Sequence, residues 1–400
     1  MVPRLCIWLL LLVLVVMAPL RAIGRTWLVE RDETGDFVVI QDAVDAAASG
    51  DTIRIGPGRF NEQQLVTCPG WSDSVRVLIP HQELTLIGSG EATIIGSPDP
   101  WDSNQDENKG IVASDYWGNN FLRIQGIRFE NMRDGIYSGY ETVPNCSLVV
   151  QDCQFIGNFA ALILFGTGDV VEISDCQFFP MSENGRHVLS WYQNSLTIER
   201  SEFHADGTVY GQTALSLNWV GATSISSCEF AGGISAISSS YGGPISLANC
   251  SFSSHSVSAT YFSTNVSATI DSCTFRNVNR AISSPTWNNS ISMRNSVVES
   301  VVDCGFLVAD TGGMSIQNCD LSKGERGVIW VLDTVPCQNT GIIDMTNNFW
   351  GTDNPDSIQT WIRDSSDSAD ACYSVDFEPF SPIPTPTQTK SLGGFKALFR

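Results

Sequence analysis

Positive charge is scarce in this chain. Its 400 residues contain 22 Lys plus Arg against 43 Asp plus Glu, which gives a formal net charge of −21 at pH 7. A surface of this sign repels polyanions, so the composition opposes nucleic acid and anionic membrane as partners.

Long apolar runs are missing beyond the N-terminus. The one clear run extends from Leu5 to Leu20, behind Arg4, and is followed by Ala22-Ile23-Gly24. It is short for a bilayer span and ends in small residues suited to signal cleavage. We therefore expect a secretory signal at residues 1–24 and a secreted or cell-surface protein that does not span the membrane.

Histidine is also rare, and the chain has no zinc-type spacing. The four histidines share no common register, and no CxxC pair occurs. Structural zinc sites need Cys and His ligands at short, regular spacings. We expect no cofactor and no metal site, and we leave Ca²⁺ open because no motif indicates a site for it. The four histidines are His81, His187, His204 and His255.

A short phrase, Ile-x-(Asp/Asn/Ser)-Cys-x-Phe, recurs about every 23 residues through the middle of the chain. Degenerate copies put Ile127, Ser201, Ser296 and Asn348 at the cysteine position. A fixed period of this length is typical of solenoids. The clear copies are centred on Cys153, Cys176, Cys228, Cys250, Cys273 and Cys319.

The spacing inside the phrase predicts a bend. Ile and Cys are three apart and Cys and Phe two apart, so both apolar residues point inward only if the chain turns between them. The residue before Cys is Asp, Asn or Ser, which tolerate a left-handed backbone. Each repeat therefore reads as strand, bend and strand, followed by a second apolar strand. We predict an all-β, single-stranded parallel β-helix of about ten coils.

The two ends carry patterns typical of caps. Ile40, Ala43, Val44 and Ala47 share one face of a predicted helix, which would cover the first coil. Near the other end, Ile358, Trp361 and Ile362 repeat the same spacing and predict a second short helical cap. The predicted segments are a signal at 1–24, an N-terminal cap with the first coils at 25–120, repeats at 121–350, a C-terminal cap at 351–380, and a Pro-rich linker and tail at 381–400.

Eleven of the twelve cysteines divide into two groups, and the twelfth, Cys6, lies in the expected signal segment. Six occupy the repeat phrase, where Ser, Ile and Asn also occur, so we interpret them as a column of reduced core thiols. Among the remaining loop and cap cysteines, Cys337 with Cys372 is the first pair to test as a disulfide. The other members of this second group are Cys68, Cys146 and Cys304.

Four features of the sequence resemble the right-handed parallel β-helix, or pectin lyase-like, superfamily. They are the repeats, the lead-in Gly35-Asp36-Phe37…Ile40-Gln41-Asp42-Ala43-Val44, the segment Gly56-Pro57-Gly58-Arg59-Phe60 and the closing segment Asn347-Asn348-Phe349-Trp350-Gly351-Thr352. The resemblance covers nearly all of residues 27–380. It implies a right-handed wind and a secreted bacterial protein. It does not imply one activity, because this superfamily includes lyases, esterases, hydrolases and surface proteins.

Motifs for those activities are missing or weak. The Asp-Phe-Ile-Phe-Gly segment of pectin methylesterases and the Asp-Asp pair and Gly-His-Gly of polygalacturonases do not occur. A pectate lyase-like or glycoside hydrolase-like activity stays open, with no catalytic residue assigned. The densest group of titratable residues is Asp169, Glu172, Asp175, Glu183, Arg186 and His187, which solvated strand faces and turns also explain.

A more regular pattern appears when the second strands are aligned on their Gly or Ala position. Aromatic residues follow at similar offsets on several coils, so they would form a stripe along the axis, with about 4.8 Å between coils. The stripe either binds a sugar chain or consists of rings that pack on one another. Its members are Tyr140, Phe165, Trp191, Tyr192, Trp219, Tyr241 and Trp287.

The sequence thus favours a secreted, monomeric β-helix protein that binds an extracellular polysaccharide along this stripe. The alternative is a non-catalytic surface or adhesion solenoid that simply presents its loops. Loss of glycan binding in Trp191→Ala and Trp219→Ala variants would separate the two.

Overall fold

The chain winds into a solenoid of three parallel sheets, which we name A, B and C in the order in which each coil visits them. The computed structural model describes residues 24–68, 71–80, 83–102, 108–113, 120–138, 146–166, 170–179, 185–193, 195–205, 212–286, 288–309, 313–323, 328–331, 340–368 and 371–384. Within this part of the chain, no helix has the length and hydropathy of a membrane-crossing segment.

Sheet A holds the strands that carry the Ile of the repeat phrase, and all of its strands are parallel. Its inward positions are mostly Val, Ile and Leu, and its outward positions alternate with them. Its fourteen strands are Thr26–Val29, Asp51–Ile55, Leu84–Ile87, Asn120–Gln125, Cys146–Gln151, Val170–Ser174, Ser195–Glu199, Ala222–Ser226, Pro244–Ala248, Ser267–Asp271, Ser290–Arg294, Gly313–Gln317, Gly341–Asp344 and Tyr373–Asp376.

Sheet B holds the short strands that carry the Phe of the phrase, again in parallel pairing. Its eleven strands are Gly58–Phe60, Thr93–Gly96, Arg128–Glu130, Gln154–Ile156, Gln177–Phe178, Glu202–His204, Glu229–Ala231, Ser251–Ser253, Thr274–Val278, Val297–Val301 and Asp320–Lys323.

Sheet C holds the second apolar strand of each repeat. Its first two strands pair with each other in antiparallel orientation, and every later pairing in the sheet is parallel. Its thirteen strands are Gln64–Cys68, Trp71–Ile79, Asn108–Ala113, Asp134–Ser138, Ala160–Phe165, Arg186–Trp191, Thr213–Asn218, Ser235–Ser240, Ser258–Phe262, Ile282–Ser284, Phe306–Val308, Ile329–Val331 and Ile362–Arg363.

The bend between sheets A and B has the predicted left-handed residue on coil after coil. Its φ is 51° at Asp152, 57° at Asp175, 47° at Arg200, 55° at Asn249 and 56° at Ser272. The bend brings the neighbouring Cys and Phe side chains into the shaft of the solenoid. The prediction of strand, bend and strand in each repeat is confirmed.

The core is built from columns of identical residues. Seven phenylalanines stack with centroids 4.5–5.1 Å apart and interplanar angles of 5–8°. The phrase cysteines lie beside them as buried free thiols. Each of these thiols lies 3.2–3.4 Å from the carbonyl oxygen two residues earlier, to which it donates. The stacked rings are Phe129, Phe155, Phe178, Phe203, Phe230, Phe252 and Phe275.

The N-terminal cap is the predicted helix. It spans Ile40–Ala46 and buries Ile40, Ala43 and Val44 against the core, with Ala47 partly buried beside them. A 3-10 turn at Gly90–Ala92 is the next helical element. Since apolar coil ends need a cover, this helix explains why the first coil does not remain exposed.

The C-terminal cap differs from the prediction. Its helix spans Pro355–Gln359 and buries Ile358, with Asn354 accepting hydrogen bonds from the first backbone N–H groups. The predicted helical positions Trp361 and Ile362 lie beyond it, because Ile362–Arg363 forms the last strand of sheet C. The cap is therefore a short helix plus a final strand.

The cysteines outside the phrase are only partly as predicted. Cys372 is disulfide-bonded, and its partner is not among the cysteines whose side chains the structure describes. Cys337 lies outside the described residues, so its pairing with Cys372 stays a prediction. Cys304, grouped with the loop and cap cysteines, is instead a buried free thiol, and burial raises its pKa to about 11.

Candidate functional site

The turn from sheet C back to sheet A places one residue per coil in a single vertical column. The backbone N–H of each column residue donates to the carbonyl just before the next one, as in Tyr192 to Asn218 and Trp219 to Ser240. This pattern aligns five successive coils, and a side-chain hydrogen bond between Asn265 and Asn288 adds a sixth. The column consists of Gly166, Tyr192, Trp219, Tyr241, Asn265 and Asn288.

Three of these positions form what we call the exposed aromatic column: Tyr192, Trp219 and Tyr241. The rings of Trp219 and Tyr241 stack with centroids 4.6 Å apart and an interplanar angle of 9°. Tyr192 stacks less closely on Trp219, at 6.3 Å and 20°. The three side chains remain 42%, 53% and 44% exposed in chain order.

All three residues have left-handed backbones, with φ of 62° at Tyr192, 56° at Trp219 and 53° at Tyr241. A bulky side chain is unusual there, because its Cβ approaches the carbonyl oxygen. The next two coils use Asn265 and Asn288, with φ of 59° and 62°, which tolerate this conformation well. Asn288 Nδ2 donates to Asn265 Oδ1 at 2.7 Å, so the column continues as an amide pair.

The structure divides the predicted stripe into two sets. Phe165 and Trp191 lie one residue earlier, at the ends of their sheet C strands, and both are partly buried. Their rings meet edge to face at 5.0 Å and 70°. Tyr140 and Trp287 lie outside the described residues. The described part of the stripe is therefore an exposed column beside a more buried pair.

The described members of the titratable group around residues 169–187 do not converge. Glu172 is exposed on the outer face of sheet A, and Asp175 lies in the A–B bend, where its carboxylate accepts two bonds from Arg200 at 2.8 and 2.9 Å. His187 is buried in sheet C, with its Nε2 2.9 Å from the carbonyl oxygen of His204. Burial lowers its pKa to about 3. Asp169 and Glu183 lie outside the described residues.

One buried charge cluster was not anticipated from the sequence. Lys109 and Asp73 form an ion pair with almost no solvent exposure, and Lys109 Nζ lies 4.3 Å from the centroid of the Tyr137 ring. Lys109 also pairs in register with Asp134 on the next coil. Since burying one charge without a partner costs several kcal/mol, the pair is a structural feature of the first coils. It lies on coils well before the exposed aromatic column.

Metal ligands are not grouped in the described residues: no three His, Cys, Asp or Glu side chains there could hold one ion. Around the exposed aromatic column the available chemistry is ring edges, phenol and indole groups, and neighbouring hydroxyls and amides. Such groups bind hydroxyl-rich ligands by contact and hydrogen bonding.

Comparisons with known proteins bear on the fold. The family described as "Right handed beta helix region" matches residues 168–321. Pectin methylesterase from carrot shares 12% identity with a TM-score of 0.42, covering 67% of this chain and 83% of that chain. The catalytic unit of a thermostable GH87 alpha-1,3-glucanase from Streptomyces thermodiastaticus strain HF3-3 shares 11% identity with a TM-score of 0.32, covering 67% and 61%. No curated protein matches the sequence.

These two likenesses are too distant to carry an activity over to this chain. The family match contains five of the six phrase cysteines and five of the seven stacked phenylalanines. With three stacked parallel sheets around those columns, the described residues form a parallel β-helix, and residues 168–321 match the right-handed β-helix family.

Proposed function

We propose that this protein is a secreted polysaccharide-binding solenoid that holds an extended glycan against the exposed aromatic column. The observation that carries the proposal is the use of three bulky, half-exposed rings at left-handed positions on consecutive coils. Strained backbone of this kind clusters at functional sites, so it supports a hypothesis of function.

The energetics favour a role beyond packing. A left-handed backbone costs a side chain about 1–2 kcal/mol per residue. Each of the two aromatic stacking contacts stabilises the fold by about 0.5–1.5 kcal/mol. Three strained residues therefore cost about as much as, or more than, their two stacking contacts return. Asparagine, as at Asn265 and Asn288, would occupy the same turn with less strain.

The stacking limits how a sugar chain approaches. The faces of Trp219 are turned toward Tyr192 and Tyr241, so a ligand meets mainly ring edges and polar ring groups. Coils repeat at about 4.8 Å, close to the rise of one sugar unit along an extended chain. A glycan running parallel to the axis would make one modest contact per coil, so we expect affinity to rise steeply with oligosaccharide length.

Secretion is part of the proposal and has two supports. One is the apolar leader from Leu5 to Leu20, which ends in small residues. The other is the disulfide at Cys372, since stable disulfides form mainly in oxidising compartments. We leave catalysis out, because the described residues near the column include no pair of carboxylates with a neighbouring base.

The decisive variant is Trp219→Asn in the full mature chain. Asparagine suits the left-handed backbone, so this variant keeps a Tm within about 3 °C of wild type while losing about tenfold or more in affinity for a bound glycan. Val302→Asn is the matched control, because Val302 is 58% exposed in a different turn. Binding is measured by affinity electrophoresis and calorimetry over a panel of soluble polysaccharides.

Two results would contradict the proposal. If Trp219→Asn lowers the Tm strongly and leaves binding intact, the column is a packing feature. If wild-type protein binds no polysaccharide in the panel, the alternative of a surface or adhesion solenoid without a glycan ligand is favoured.

A further inference from the structure

The coils that carry the exposed aromatic column have one flank without any charged residue. It comprises residues 188–193, 195–198, 213–226, 234–248, 256–270, 281–286 and 288–293, and none of these segments contains Asp, Glu, Lys or Arg. We call it the uncharged flank. It includes the end of each sheet C strand, the C–A turn and the first part of each sheet A strand. In a chain with 43 acidic residues, this is a marked segregation of charge.

On the coils that follow the rings, charged residues lie on the other side. Arg276 Nε contacts Glu299 at 2.9 Å across sheet B. Arg280 forms an ion pair with Asp303 in the following turn, and Arg294 pairs with Asp271 next to the A–B bend. Charge therefore occurs where coils meet through ion pairs, and it is missing around the rings.

The surface next to the rings on sheet A is small and hydroxylated. The first two outward side chains of each strand on three consecutive coils are exposed, and none of these is larger than proline or threonine. On the sheet C side, the outward positions Ser216, Ser238 and Ser240 are partly buried serines. The sheet A positions are Ala222, Ser224, Pro244, Ser246, Ser267 and Thr269.

From this distribution we propose that the glycan bound at the column is electrically neutral, and that uronic-acid and sulfated polysaccharides are excluded. This inference rests on the proposed polysaccharide-binding function and names the substrate class of the same site. A polyanion would approach a protein of net charge −21 and find no Lys or Arg on the flank to neutralise it.

Calcium does not change this conclusion. A bridge between an acidic sugar and the protein needs carboxylate or carbonyl oxygens arranged around the ion. The uncharged flank supplies no carboxylate in its sequence. On sheet A, Glu172, Thr197 and Ser224 occupy the same position on three successive coils. The nearest carboxylate at this position is therefore that of Glu172, on the coil before Thr197.

The test uses pairs of polysaccharides that share a backbone and differ in charge. Hydroxyethyl cellulose is paired with carboxymethyl cellulose, and fully methyl-esterified homogalacturonan with polygalacturonate. We expect the neutral member of at least one pair to bind about tenfold or more tightly than its acidic counterpart. Its affinity should change less than about twofold between roughly 50 and 500 mM NaCl.

A charge-gain variant makes the test sharper. Ser224→Lys with Ser246→Lys places two cations on the uncharged flank, and it should gain salt-sensitive binding of the acidic member while neutral binding changes less than about threefold. The control is Ser251→Lys with Ser253→Lys, which adds the same charge on sheet B and should gain nothing.

The possible failures differ from one another. If no polysaccharide binds, the proposed function itself is wrong. If an acidic glycan binds wild-type protein as well as its neutral partner does, and Trp219→Asn abolishes that binding, the site is a glycan site and neutrality is overturned. If the sheet B control gains the same binding as the flank variant, the charge of the flank does not determine specificity.

Discussion

Ser201 replaces a cysteine of the internal column, and its hydroxyl accepts a hydrogen bond from the backbone N–H of Cys176 at 3.2 Å. The same hydroxyl donates to the carbonyl of Glu199 at 2.9 Å, as the thiols do to their own second-preceding carbonyls. Ser296 repeats both contacts with Cys273 and Arg294. At these two positions a small hydroxyl makes the same backward contact as a thiol, so sulfur is not required there.

This relationship predicts that Cys250→Ser is nearly neutral and Cys250→Val is not. Serine keeps the donor to the Ala248 carbonyl, while valine lacks a donor and adds volume between two neighbouring thiols. We expect a loss of less than about 1 kcal/mol for serine and about 1–3 kcal/mol for valine in the free energy of unfolding. Urea unfolding of both variants measures this, and equal losses would contradict the donor argument.

Acid should destabilise the protein through its buried histidines. Burial lowers the pKa of His187 to about 3 and that of His255 to about 4, from an ordinary value of 6.5. Each neutral ring contributes stability that is complete above pH 6.5 and is lost as the pH falls toward the lowered value.

The matched variant is His187→Ala, because neighbouring coils carry Ala161 and Ala214 at this position. Between about pH 6 and 4.5, the free energy of unfolding should fall with decreasing pH for both proteins. The slope for the variant should be smaller than that for wild type by about 1.4 kcal/mol per pH unit, which corresponds to one proton. The absolute stability of the variant is not the readout, since it also loses contacts with Phe178 and Phe203. Parallel pH profiles would mean that His187 is protonated in the fold.

Much of the solenoid could be predicted because its determinants are local. The spacing of Ile, Cys and Phe, together with a turn-forming residue before Cys, already requires the bend and the inward columns. The aromatic stripe was harder, because Trp191 and Tyr192 are adjacent in sequence but Trp191 ends a sheet C strand and Tyr192 lies in the turn after it. Asn265 and Asn288 at the same turn were the available sign of a left-handed position. The Lys109–Asp73 pair joins separate coils and has no local sequence signature.

The disulfide at Cys372 should join it to Cys337. Both lie near the C-terminal cap in sequence, and seven other cysteines are buried free thiols. Peptide mapping without reduction should identify one cross-linked peptide that contains both residues. Cys372→Ser should cost about 2–4 kcal/mol and act mainly on the cap. A peptide joining Cys372 to Cys68 or Cys146 would show the pairing to be wrong.

The left-handed bend makes a prediction that separates backbone strain from packing. Asn249 is exposed and has φ of 55°, so its side chain contributes little to the core. Asn249→Gly should change stability by less than about 1 kcal/mol, while Asn249→Val should cost about 2 kcal/mol, because a β-branched residue fits this conformation poorly. Ser246→Val is the control, since it places the same side chain at an exposed strand position where valine is favoured. If thermal unfolding shows that both valine variants lose equal stability, the bend does not depend on the residue before cysteine, and the physical reading of the repeat fails at its central point.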